Sequence, residues 1–218
     1  MFQGIDELAR EVLKEYDLRV DQMTTIQADH RKGKFLWRFE SQDGLKCLKR
    51  MHRRLEKSLF AIEAHVHLCR AGAMVPGINF TRSGKPYVEV DGATFLVINW
   101  VNGRRPDMRV TADLERMTRA LGEFHRYSKG YHSSEGVEAS TKLGKWPQHY
   151  AEMIRDMMEA REFSLQNPDA LASKILLNYV DHFLNQAQVA ATTMEFSPYD
   201  LLVGKASEEE GFCHQDFG

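Results

Sequence analysis

The sequence has little of several features that would mark a whole class of proteins. It holds only 3 cysteines among 218 residues, and its formal net charge is −2 at pH 7. Cysteines that are few, odd in number and widely spaced predict buried, reduced side chains, and not a disulfide or zinc framework. Without an excess of positive charge, the chain is not expected to bind nucleic acid or an acidic membrane surface.

The sequence also shows no segment with the composition of a targeting signal or a membrane span. The first 16 residues carry Asp6, Glu7, Glu11 and Glu15, so this stretch does not have the composition of a signal peptide. The longest apolar stretch, residues 94–101, is far too short to cross a bilayer. We therefore expect a soluble cytoplasmic protein with no membrane partner.

The hydrophobic pattern changes character along the chain and predicts an α+β fold with two lobes. Helices are predicted at residues 5–16, 54–71, 111–130, 146–166, 169–195 and 198–209. Strands are predicted at residues 19–27, 34–41, 45–51, 86–90 and 94–101, and Asp91-Gly92 predicts a hairpin between the last two. The predicted N-terminal lobe spans residues 1–101 and contains the predicted strands. The predicted C-terminal lobe spans residues 102–218 and is helical.

A His-x-Asp motif lies at the end of the sequence, at His214 and Asp216. In kinases this motif begins the catalytic loop, where the Asp accepts the proton of the attacking hydroxyl and a later Asn holds magnesium. If this interpretation holds, the Asn is expected near position 221. The chain would then be the front part of a phosphotransferase, without a complete magnesium site and inactive by itself.

The residues before the motif include candidates for the groups that hold ATP. Alternation along residues 45–51 places Lys49 on an apolar strand face with Cys47, and Lys46 on the opposite face. This pattern is typical of the phosphate-binding lysine of kinases, although a lysine-rich surface strand would also produce it. On the helix that follows, Glu63 is the candidate partner of Lys49, or alternatively forms a surface ion pair with His67.

Asn99, Trp100 and Val101 end a strand and lead into a joint that contains glycine. This is where a kinase hinge offers backbone groups to adenine, but an ordinary strand end followed by a turn fits equally well. The glycine-rich phosphate loop of protein kinases is missing between the first strands. Extra helices also separate Lys49 from Asp216, and small-molecule kinases have such helices.

Together these segments resemble the CotS-type spore-coat kinase-like proteins, within the aminoglycoside-phosphotransferase-like branch of the kinase fold. The segments that carry the resemblance are GLKCLKR at 44–50, GKPYV at 84–88, NWVNGR at 99–104, LGEFHRYSKGY at 121–131, LGKWP at 143–147 and CHQDF at 213–217. The resemblance covers the chain from about Arg19 onward. It implies a protein-kinase-like fold with an incomplete C-terminal lobe.

The resemblance also implies roles. Asp216 would be the catalytic base, His214 would support the loop, Lys49 would bind the ATP phosphates and Glu63 would hold Lys49. ATP and Mg²⁺ are the implied cofactors, with the metal ligands beyond residue 218. The protein would phosphorylate a hydroxyl of a small molecule that the sequence does not identify, in the mother cell or forespore, with spore-coat proteins as further partners. The alternative is an inactive kinase-like scaffold of the coat.

Overall fold

The computed structural model describes residues 3–51, 55–137, 141–209 and 211–213. Within it the chain forms two compact units, residues 1–139 with 210–218, and residues 140–209. The lobe boundary near residue 101 stays a prediction.

The first unit combines three helices with a six-stranded antiparallel sheet. Its elements are α1 (Gln3–Leu13), β1 (Asp21–Asp29), β2 (Lys34–Ser41), β3 (Gly44–Arg50), α2 (Leu55–Ala71), β4 (Ile78–Asn79), β5 (Val88–Val90), β6 (Ala93–Asn99) and α3 (Thr111–Ser128). The sheet order is β1-β2-β3-β6-β4. β5 lies off this path and pairs with β6, the strand that follows it in a hairpin. β3 therefore lies in the middle of the sheet, between β2 and β6.

Helix α1 covers one face of this sheet and closes the hydrophobic core. Alternate residues of β2 (Phe35, Trp37 and Phe39) are buried against it, as the period of two along a strand requires. A polar contact fixes the helix in place, because the Trp37 Nε1 donates to Asp6 Oδ1 at 2.7 Å. Thr25 Oγ1 donates to the same oxygen at 3.1 Å. One carboxylate thus ties α1 to both β1 and β2.

The Asp91-Gly92 hairpin is confirmed. Val90 pairs with Ala93 across the turn, and the backbone φ angles of Asp91 and Gly92 are 51° and 70°. A two-residue hairpin turn with positive φ at both positions matches the right-handed twist of the strands it joins. Asp and Gly are favoured there because they adopt this conformation at low cost.

Two expectations about local structure need correction. The predicted first helix ends at Leu13, not at Tyr16, although Tyr16 is fully buried. Tyr16 reaches the core from beyond the helix, where it forms an isolated bridge with Thr81. The two-residue strand β4 was not predicted, since a segment this short has no alternation to detect.

Helix α2 lies against β4 and β6, and its buried residues include Ile62, Ala64 and Leu68. None of these three residues belongs to the core cluster under α1, which indicates that α2 packs on the opposite face of the sheet, the face that carries Lys49. The helix ends at Ala71 before Gly72, whose φ of 82° is the left-handed conformation of a helix C-terminus. The predicted end of this helix is confirmed, and residue 54, its predicted start, lies outside the described residues.

The regular elements described in the second unit are helices, α4 (Trp146–Gln166), α5 (Leu171–Glu195) and α6 (Tyr199–Glu208). Helices α4 and α5 pack along each other, and Arg161 Nε donates to Asp181 Oδ1 between them at 2.7 Å. Val180 and Leu184 of α5 are buried. None of the helices in the described ranges is both long and apolar enough to span a membrane.

All three cysteines are free, as predicted, but their burial differs. Cys47 is buried and Cys69 is half-buried, whereas Cys213 is exposed. The prediction of burial is therefore wrong for Cys213.

Candidate nucleotide-binding site

The two lysines of β3 have opposite surroundings. Lys49 pairs with Leu36 of β2 and Leu96 of β6, and its side chain is exposed. No hydrogen bond or ion pair engages its ammonium within the described ranges. Lys46 lies on the α1 face, is only 5 % exposed, and donates from Nζ to Asn99 Oδ1 at 2.7 Å. Only Lys49 is therefore available to an outside anion.

Asn99 is committed to contacts inside the first unit. Its Oδ1 accepts from Lys46 and also from Asn79 Nδ2 at 3.2 Å, and its backbone N–H donates to Gly77 O at 2.8 Å. A Cβ at Gly77 would lie 2.7 Å from Asn99 Nδ2, so the close approach requires glycine. The side chain of Asn99 thus supports the end of β6, and the predicted contact of its backbone with a nucleotide stays a prediction.

The three residues predicted to form the hinge differ in whether their backbone groups are already hydrogen-bonded. The Trp100 N–H donates to Leu45 O at 3.0 Å, and its indole Nε1 donates to Asn102 Oδ1 at 3.2 Å. Val101, which is 64 % exposed, has no hydrogen bond to its amide or carbonyl in the described part of the chain. Of the three predicted hinge residues, Val101 alone offers both backbone groups to a ligand.

A buried carboxylate fixes the connection that follows. Asp113, in the first turn of α3, receives Arg104 in a two-pronged pair, at 2.6 Å from Nη1 and 2.9 Å from Nη2. The Asp107 N–H adds a third hydrogen bond at 2.9 Å. Asp113 is only 4 % exposed, and these donors, Arg104 above all, lower its pKa to about 2. Sequence analysis missed this pair, and an acidic residue in a first helical turn was the only local signal for it.

Glu63 is not paired with Lys49. Its Oε2 accepts from the Tyr131 hydroxyl at 3.2 Å and from the Ser134 N–H at 3.0 Å. The alternative pair with His67 is not formed either, since His67 Nε2 donates to Tyr127 O at 3.0 Å. The described contacts therefore bring Glu63 to residues 131–134, and a role toward Lys49 stays a prediction.

Lys49 also affects its nearest neighbours electrostatically. Burial is the main cause that lowers the pKa of His65, and the charge of Lys49 lowers it further. His65 Nε2 donates to Pro76 O at 2.7 Å. Burial raises the pKa of the Cys47 thiol to about 11, against a smaller opposing effect of Lys49. Burial thus favours the neutral form of both neighbours, and neither of them neutralises the charge of Lys49.

His214 and Asp216 lie outside the described residues, but the segment before them is well anchored. The Phe212 ring lies 5.2 Å from Tyr131, 5.6 Å from Phe124, 6.1 Å from Phe60 and 6.5 Å from His67, measured between centroids. We call these five residues the aromatic cluster. It brings helices α2 and α3 together with the residues that precede the predicted catalytic loop.

The donors present fit a nucleotide better than they fit a metal. An exposed lysine on β3 suits ATP phosphates, and the open backbone groups of Val101, past the end of the neighbouring strand β6, suit adenine. For Mg²⁺, the described residues contain no group of three or more His, Cys, Asp or Glu side chains that could hold an ion. A separate cavity of about 470 Å³ lies at the end of α1, beside Arg10, Lys14 and Arg82, and none of the predicted site residues lines it.

Comparison with known proteins supports the family resemblance. No family model matches the chain. It is 26 % identical over 215 residues to Spore coat protein S of Bacillus subtilis (strain 168), which covers 97 % of this chain and 60 % of that protein. The chain thus spans about 60 % of the length of this relative. The resemblance to CotS-type kinase-like proteins is confirmed.

A solved structure confirms the fold. The aminoglycoside phosphotransferase from Alicyclobacillus acidocaldarius matches with a TM-score of 0.69 and 18 % identity, over 95 % of this chain and 59 % of that one. The chain therefore has the kinase-like fold, with an antiparallel sheet in its N-terminal part and helices in its C-terminal part.

Proposed function

We propose that this chain is the nucleotide-binding part of an ATP-dependent phosphotransferase-like protein of the spore coat, which phosphorylates a hydroxyl of a small molecule. The observation that carries the proposal is Lys49, an exposed cation at the centre of the sheet that no described residue neutralises. The similarity to a spore coat protein supports the location. The likeness of the fold to a solved aminoglycoside phosphotransferase supports phosphoryl transfer by analogy alone.

The proposed roles follow from position. Lys49 binds the phosphates, and the Val101 amide and carbonyl bind the adenine edge. Asp216 takes the proton of the attacking hydroxyl, and His214 supports the loop that carries it. Magnesium, when bound, neutralises charge that develops on the phosphates, and its ligands are expected outside the described residues.

A catalytically inactive coat scaffold is the second candidate, and two observations favour it. The turn between β1 and β2 has no glycine-rich loop, and it closes on itself because the Lys32 N–H donates to Asp29 Oδ1 at 3.1 Å. The carboxylate expected to hold Lys49 is also occupied by other donors. A scaffold would retain the fold without binding nucleotide.

Thermal unfolding with and without ATP and Mg²⁺ separates the two candidates. At a ligand concentration 100 times Kd, binding to the folded state alone adds about 2.7 kcal/mol of stability. For a chain of this size that corresponds to a rise in Tm of about 5 to 10 °C. Lys49→Met should abolish most of the rise, whereas Lys85→Met, at an exposed lysine elsewhere, should retain it. If millimolar ATP produces no rise in the wild-type protein, the scaffold is favoured.

A further inference from the structure

Glu63 is held by a segment that is remote in sequence. Two donors from residues 131–134, the Tyr131 hydroxyl and the Ser134 N–H, converge on the same carboxylate oxygen. Hydrogen bonds to an ionised acceptor are roughly twice as strong as neutral ones. The carboxylate therefore fastens the segment after α3 to helix α2.

Tyr131 extends this contact into the aromatic cluster. Its ring lies edge-to-face against Phe60 at 5.4 Å, His67 at 5.3 Å and Phe212 at 5.2 Å. Such edge-to-face pairs stabilise beyond the area they bury. The hydroxyl of Tyr131 thus faces Glu63 while its ring braces Phe212.

Phe212 is held from a second side as well. Its backbone N–H donates to Ser128 Oγ at 3.3 Å, and a Cβ on the preceding Gly211 would lie 3.3 Å from the same oxygen. The residues that lead into the predicted catalytic loop are therefore fixed by α3 and by the Tyr131 ring together.

We propose that Glu63 is a positioning residue that acts through Tyr131 and Phe212 on the segment leading to Asp216, and is not the partner of Lys49. The catalytic meaning of this inference rests on the proposed function, but the physical link does not. Loss of the Glu63 carboxylate removes the hydrogen bond that orients Tyr131, and the Tyr131 ring then holds Phe212 less firmly.

Amide hydrogen exchange tests the link on the whole chain without nucleotide. In Glu63→Ala, the hydrogen-bonded amides of Ser134 and Phe212 should exchange roughly ten-fold faster, since the first loses its acceptor and the second loses support from the Tyr131 ring. Tyr131→Phe, which keeps the ring, should show a smaller increase at the same amides. Glu63→Gln retains an acceptor and should restore much of the protection. Glu115→Ala, at an exposed carboxylate on α3, should leave these amides unchanged.

ATP affinity distinguishes a role of Glu63 through Tyr131 from a role as the partner of Lys49. If Glu63 acts through Tyr131, Glu63→Ala leaves ATP binding within about two-fold of the wild type; in a protein that turns over ATP, kcat falls and the KM for ATP is unchanged. Weakening of ATP binding comparable to Lys49→Met, with exchange at residues 131–134 unaltered, would overturn the inference in favour of a Lys49 partner. Unchanged exchange and unchanged affinity would overturn it too.

If Glu63→Ala does not fold, the same measurements on Glu63→Gln decide, and faster exchange throughout that variant refutes a local role. Failure of the wild-type chain to bind ATP would contradict the proposed function and leave the exchange result standing.

Discussion

The two lysines of β3 should respond in opposite ways to the same substitution. Methionine keeps most of the length and apolar character of the lysine stem and removes the charge. In Lys49→Met the fold should be unaffected, because exposed substitutions away from special contacts change stability by about 0.5 kcal/mol or less. A phosphate contact from a charged donor contributes about 1.5 to 3 kcal/mol, so the Kd for ATP should rise by roughly 10-fold to 150-fold.

Lys46→Met should leave ATP binding intact. Lys46 is 5 % exposed, and the neutral Oδ1 of Asn99 is its only hydrogen-bond partner in the described part of the chain. A buried ammonium with one neutral partner is poorly compensated for the loss of water. Removal of the charge should therefore leave stability within about 1 kcal/mol of the wild type, or raise it. Asn99 Oδ1 is not orphaned, since Asn79 still donates to it at 3.2 Å.

The assay compares both variants with the wild type by titration with a fluorescent ATP analogue and by urea unfolding followed by circular dichroism. Loss of nucleotide binding in Lys46→Met with normal binding in Lys49→Met would show that the phosphate lysine is the buried one and would refute the assignment of Lys49. A loss of several kcal/mol in the free energy of unfolding of Lys46→Met would contradict the stability prediction, since the buried ammonium would then be well compensated for its lost hydration.

Three further perturbations test the fold around the site. Asp6→Ala should lower the free energy of unfolding by about 1 to 3 kcal/mol in urea, because the buried indole N–H of Trp37 loses its acceptor; Asp6→Asn, which keeps an acceptor, should lose less, and equal losses would contradict the account. The pKa of Asp113 is depressed to about 2 by its donors, so its stabilising effect is present above about pH 4 and is lost as the pH falls toward 2. The free energy of unfolding in urea should therefore fall less steeply between pH 5 and pH 2 in Asp113→Asn than in the wild type. Identical pH dependence in the two proteins would argue against the Asp113–Arg104 pair. A thiol reagent at pH 8 should label exposed Cys213 in the folded chain and leave buried Cys47, whose pKa is raised to about 11, unlabelled until denaturant is added; rapid labelling of Cys47 would contradict its burial.

Local signals predicted most of the fold. The hairpin followed from Asp91-Gly92, and Gly72 marked the end of α2, because both depend on backbone conformations that few residues adopt. Helix α1 was predicted too long because Tyr16 continues the apolar spacing while reaching the core from a bridge. Hydrophobic spacing reports burial, and burial alone does not distinguish a helical turn from an extended segment that touches the same core.

The site was only partly predictable, for a related reason. Alternation correctly separated Lys46 from Lys49, but helices pack on the sheet from both faces, α1 against the core cluster and α2 against β4 and β6. Sequence pattern alone therefore could not tell which lysine is buried. The contact of Glu63 with Tyr131 joins residues 68 positions apart, and no helical or strand period links such positions.

The polar contacts around the joint bear on the choice between an enzyme and a scaffold. Asn99 is fixed at one end by Lys46, and Asp113 fixes Arg104 at the other. Between them, the Val101 amide and carbonyl have no hydrogen-bond partner among the described residues. A connection that only links successive elements gains little from a buried carboxylate paired with Arg104. A segment that must present one amide and one carbonyl to a ligand gains from such a pair, because pre-organisation lowers the entropy lost on binding. This distribution of contacts favours a nucleotide-binding protein over a scaffold.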